Sequence, residues 1–159
     1  MKTHNALLLL GAVLISTHAL AGGGHADGHA HAASAIGAPG KPDQVSRTVE
    51  VEMSDSMRFK PEQIVVVRGE TLRFIVKNTG QLKHELVLGQ SSALKEHAKL
   101  MQKFPGMEHA DDNMVSVAPG QQGILLWQFS RAGTVHFACL QPGHYEAGMK
   151  GMVKVQRPK

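Results

Sequence analysis

At 159 residues the chain has room for one domain with a modest core. A formal net charge of +4, an aromatic content of 4% and the lack of any basic run leave no case for nucleic-acid binding. The single cysteine excludes a disulfide framework. No Ser/His/Asp order, catalytic carboxylate pair or phosphate loop supports hydrolysis.

Residues 1–21 carry Lys2, an apolar run from Ala6 to Ile15 and the small-x-small end Ala19-Leu20-Ala21. That pattern is expected to be a secretory signal peptide, which places the protein in the periplasm. The apolar run is too short to cross a hydrocarbon layer of ~30 Å, and no cysteine follows it to take a lipid, so no membrane anchor is expected. Export makes the lone Cys139 informative, because a free exposed thiol is a liability in an oxidising space. A thiol held by a metal is not; the plain alternative is a buried, inert cysteine.

Residues 22–46 are rich in Gly, Ala, His and Pro without apolar periodicity and are expected to form a flexible N-terminal arm. His25, His29 and His31 lie close together there with Asp27, a set suited to Cu(II). A mature chain starting at Gly23 would add an amine, two amides and the His25 imidazole in square-planar reach. The Ala-Leu-Ala end instead predicts Gly22 as the first residue.

From Thr48 onward the pattern is β. Strands are expected over 48–53, 63–67, 71–77, 82–88, 115–117, 124–129, 134–138 and 151–156, separated by turns at Arg68-Gly69-Glu70, Asn78-Thr79-Gly80, Pro119-Gly120 and Arg131-Ala132-Gly133. Short strands at such intervals predict an all-β, Greek-key antiparallel sandwich occupying 47–159 as one domain. The exception is the insertion 89–114. Ser91 or Ser92 can cap a helix there, Leu94, Ala98 and Met101 form its inward face, and Phe104-Pro105-Gly106 ends it. The insertion carries His97, Met101, Met107, His109 and Met114, two imidazoles and three thioethers that suit Cu(I). The plain alternative is that Met101 packs the helix while the histidines are solvated.

The most informative stretch is C139-L-Q-P-G-H144-Y-E-A-G-M149, between an apolar lead-in and an alternating lead-out. Thiolate, imidazole and thioether on one short loop favour copper, with a histidine from elsewhere completing the site. Zinc on Cys/His/His is possible, but a thioether fourth ligand argues against it.

Met57 to Lys154 resembles the cupredoxins, the blue-copper proteins of the plastocyanin and azurin kind. F59-K-P-E-Q-I-V-V-V-R-G-E-T-L-R-F-I-V-K-N78 is similar to their opening strands, N78-T-G-Q-L-K-H84 to the approach to their first histidine, and the Cys139–Met149 loop to their C-terminal ligand loop. The resemblance implies a type 1 copper held by His84, Cys139 and His144, with Met149 as the weak axial ligand. Met152 is the rival axial ligand, and His136 is expected beside the site or exposed. Glu85 stands where many relatives have Asn, which puts the usual brace of the ligand loop in doubt. The signal peptide, histidine arm and His/Met insertion together resemble the periplasmic copper-resistance cupredoxins of the CopI kind.

That resemblance implies copper tolerance, with Cu(I) captured in the insertion, oxidised through the type 1 centre and held as Cu(II) by the arm. The partners expected of such a monomer are copper ions and an outside electron acceptor, and cuprous oxidase activity would make it an enzyme. A soluble electron carrier for a respiratory or photosynthetic chain, docking around His144, Pro142, Gly143 and Tyr145, is the alternative. A copper chaperone is a third reading.

Overall fold

The computed structural model describes residues 35–107 and 110–159. The expected signal peptide, and His25, His29, His31 and His109, lie outside the described residues.

Strands β1 (Ala38–Pro39), β2 (Arg47–Ser54), β3 (Arg58–Lys60), β4 (Gln63–Val67), β5 (Thr71–Asn78) and β6 (His84–Gly89) precede helix α1 (Ser91–Lys103). Strands β7 (Met114–Val117), β8 (Gln122–Gln128), β9 (Gly133–Ala138) and β10 (Lys150–Gln156) follow it. They form two five-stranded sheets, ordered β1-β8-β5-β2-β3 and β4-β10-β9-β6-β7, so the chain crosses repeatedly from one sheet to the other. The ladders are antiparallel except β2 with β5 and β4 with β10, which run parallel. Parallel neighbours need a crossover connection, and here β3 and β4 lie between β2 and β5, while β5 to β9 and the helix lie between β4 and β10.

The core lies between the sheets, where period-two alternation buries one face of each strand. Ile64 and Val66 of β4 are buried while Gln63, Val65 and Val67 are exposed. Val51 and Met53 of β2, Phe74 and Val76 of β5 and Trp127 of β8 meet Phe137 of β9 and Val153 of β10 in one cluster. Full burial of each such side chain contributes roughly 1.5–3 kcal/mol.

Strand β6 is buried along its whole length. Its outer face is covered by α1, whose Leu94, Ala98 and Met101 pack on Val87, Ala138 and Leu140. The helix therefore has the predicted inward face. Its N-cap, however, is Gln90 in extended conformation without a side-chain cap bond, and both serines fall inside the first turn.

The C-terminal part of the expected arm is docked rather than free. Ile36 is buried and its carbonyl accepts the indole N–H of Trp127 at 2.9 Å. Ala38 and Pro39 pair with β8, and Gly40 N–H donates to Leu126 O at 3.0 Å. A buried indole needs an acceptor, and this distant chain segment supplies it.

Candidate metal centre

Strands β6 and β9 are antiparallel neighbours, so His84 at the start of β6 meets the end of β9, where Cys139 begins the loop to β10. That loop is closed by its own backbone. Cys139 N–H donates to Met149 O at 3.1 Å, Met149 N–H to His144 O at 3.0 Å, and His144 N–H to Gln141 O at 3.0 Å. Gly148 has φ +98°, a left-handed conformation that turns the chain back toward Met149 at little cost only for glycine. Beside it, Arg58 Nη1 donates to Ala147 O at 3.1 Å, tying the loop to β3.

The three donor atoms form a triangle. His84 Nδ1 is 3.2 Å from His144 Nδ1, which is 3.3 Å from Cys139 Sγ, and Sγ is 3.9 Å from His84 Nδ1. The three atoms are close enough together for one metal ion to reach all of them through two imidazole bonds of ~2.0–2.1 Å and a longer thiolate bond of ~2.3 Å. Among the described residues, His84, Cys139 and His144 are the one group of three or more His, Cys, Asp or Glu side chains able to hold a metal ion.

Protonation chemistry also fits a metal. Burial pushes the Cys139 thiol up to about 12. The backbone N–H groups of Glu85 and Gln141 oppose that rise, and the negative charge of Glu85 adds to it. A coordinated cation offsets this cost, because a ligating thiol is deprotonated outright. Burial and the neighbouring His84 hold the His144 imidazole below its usual range, so it is neutral and offers a lone pair at pH 7.

Met149 has no exposed surface and belongs to the same buried cluster as Cys139, whereas Met152 is 36% exposed. His136 is half-buried on β9 and paired with Gly89 and Met152, outside the triangle.

The doubt over Glu85 is resolved. Its carboxylate is buried and accepts from Leu140 N–H at 3.1 Å and from Gln141 Nε2 at 3.0 Å. The residue after His84 thus braces the two residues after Cys139. A longer carboxylate does the work expected of a shorter amide.

Asp55 was not anticipated. It lies on the turn between β2 and β3, and its Oδ1 is 3.0 Å from His84 Nε2. Gln81 N–H, at 2.7 Å, and Leu82 N–H, at 3.2 Å, also donate to this carboxylate. The Gln81 bond chiefly holds it below the usual carboxylate range, and the contact with His84 adds to the effect. An aspartate in Ser54-Asp55-Ser56 reads as a turn former, and no local pattern points across 29 positions to a histidine.

The insertion residues do not share one place. Met101, Met107 and Met114 line a single cavity of 440 Å³, with Glu85 and Gln141 on its wall. His97 lines a different cavity, of 380 Å³, together with Asp111, Asp112 and Trp127.

Residues 45–156 match the family described as copper binding proteins, plastocyanin/azurin family. The chain is 49% identical over 156 residues to the copper-resistant cuproprotein CopI of Rubrivivax gelatinosus, covering 94% of each. It is 37% identical to the CopI protein of Pseudomonas aeruginosa, covering 93% of this chain and 97% of that one. In fold it is similar to auracyanin of Roseiflexus castenholzii, with TM-score 0.61 and 24% identity over 70% of this chain and 98% of that one. Copper is accordingly the cofactor that this donor set takes, with His84, Cys139, His144 and Met149 as the candidate type 1 ligands. The chain belongs to the plastocyanin/azurin family of copper-binding proteins.

Proposed function

We propose that this protein serves copper tolerance in the periplasm by taking up Cu(I) and oxidising it to Cu(II). The observation that carries this reading is the methionine-lined cavity, whose wall includes Glu85 and Gln141, the neighbours of the ligands His84 and Cys139. Thioethers favour Cu(I), and three methionines are among the residues that line this cavity.

His84, Cys139 and His144, together with Met149, would hold the resident copper. Bound there, copper would supply a one-electron couple, with Cu(I) as the electron donor and an outside one-electron acceptor. The chain keeps the ligands fixed through the backbone bonds of the 139–149 loop and the brace from Glu85, so little moves when charge changes. Glu85 also connects cavity and site, since its carboxylate is bonded to the residue that follows Cys139. His25, His29 and His31 take the Cu(II) product, whose preference for imidazole matches them. The names of the CopI relatives, which describe copper-resistant proteins, support the biological setting. Residues 1–21 direct the export.

The test is the rate of cuprous oxidation by the copper-loaded wild type and by Cys139→Ala, with an added one-electron acceptor. Loss of the rate in the variant supports the proposal; equal rates overturn it. A deletion strain separates it from an electron-carrier role, since copper sensitivity is expected and a respiratory defect at low copper is not.

A further inference from the structure

We propose that Asp55 is a positioning residue that acts through His84 to fix its donor atom and bias the copper site toward Cu(II). The inference rests on the reading of His84 as a copper ligand.

Both ring nitrogens of His84 are committed. Nδ1 faces Cys139 Sγ and His144 Nδ1, and Nε2 faces Asp55 Oδ1 at 3.0 Å. An ionised carboxylate only accepts hydrogen bonds, so Nε2 carries the proton and Nδ1 keeps its lone pair for the metal. The alternative tautomer would set a lone pair against a carboxylate and turn an N–H into the ligand triangle.

The carboxylate is held in place independently of His84. Gln81 N–H and Leu82 N–H bind its two oxygens from the segment that leads into β6. Gly80 leaves the space it occupies, since a Cβ there would come 2.1 Å from Oδ1. His84 itself has no solvent exposure, while the Asp55 side chain that covers Nε2 is 37% exposed.

A carboxylate behind a ligating imidazole raises its basicity and adds negative charge near the metal. Both effects stabilise Cu(II) more than Cu(I). Such partners typically change metal affinity 10–100-fold when removed. Replacing the charge while keeping the shape should therefore lower the Cu(II)-to-Cu(I) affinity ratio about tenfold, an upward shift in potential of ~59 mV for one electron.

The experiment compares copper-loaded wild type, Asp55→Asn, Asp55→Ala and Glu50→Gln by redox titration and visible spectroscopy. Glu50, ion-paired with Lys77 on the surface, controls for net charge. The potential is expected to rise in both Asp55 variants and not in Glu50→Gln, with the thiolate-to-copper band retained in Asp55→Asn. An unchanged potential in Asp55→Asn overturns the proposal. If neither Asp55 variant holds copper, nitrogen NMR of the metal-free wild type decides. A single His84 tautomer protonated at Nε2 supports the proposal, and a tautomer mixture overturns it. Retention of the copper spectrum in His84→Ala would instead overturn the ligand reading beneath it.

Discussion

Glu85 and Leu140 are joined by a hydrogen bond of 3.1 Å that links the residue after one copper ligand to the residue after another. The bond is buried, so removing its acceptor strands an amide away from water. Glu85→Ala is expected to destabilise the metal-free protein by about 1–3 kcal/mol, measured by denaturant unfolding. It should also speed copper loss to a chelator, because the loop is no longer pinned to β6. Glu85→Gln, which keeps an oxygen for Leu140, should cost less on both measures.

Met149 and Met152 lie three positions apart and differ sharply in environment. Met149→Ala should cost about 2–5 kcal/mol through its cavity, and should alter the visible spectrum of the copper-loaded protein. Met152→Ala, at a partly exposed position, should cost less than Met149→Ala and leave the spectrum unchanged. A spectrum that follows Met152 would reverse the choice of axial ligand.

Cys139 gives the metal-free protein a specific pH dependence. Its thiol is raised from the ordinary 9.0 to about 12. Above the ordinary value the unfolded chain releases this proton while the folded chain keeps it, so folding stability is complete below about 9 and falls as pH rises toward 12. Thermal unfolding of the metal-free protein between neutral and alkaline pH should show this loss, and Cys139→Ala should remove that part of it. Copper-loaded protein should not share it, because the sulfur there is already a thiolate.

Replacing Met101, Met107 and Met114 with Leu should remove about one Cu(I) per chain in a competition titration with a cuprous chelator. Leu and Met have similar volumes, and each such swap normally costs under ~1.5 kcal/mol, so the fold should survive. The thiolate-to-copper band should be unaffected. Uptake of Cu(I) equal to wild type would remove the methionine cavity from the functional scheme.

Much of the fold was legible because burial writes a period of two into strands such as β5, with Leu72, Phe74 and Val76, and a period near four into α1. The ligand loop was legible because Cys139, His144 and Met149 are close in sequence and carry unusual chemistry together. His84 came from the resemblance of its approach segment, not from periodicity. What stayed hidden depends on partners distant in the chain. The two residues of β1 and three of β3 are too short to show a period, and they exist because β8 and β2 offer hydrogen bonds. Asp55 likewise has a local identity as a turn residue and a second one only after β6 is laid beside its loop.

The helix between β6 and β7 has a consequence for how this protein can change. Because α1 closes the outer face of β6 and covers Leu140, cutting it out would uncover the strand that presents His84 and the residue beside Cys139. Its one methionine, Met101, is part of that packing. The segment as a whole is not a detachable module. An elaboration grafted onto the sandwich has become part of its wall, and shortening this chain to a minimal member of its family would require a redesigned β6.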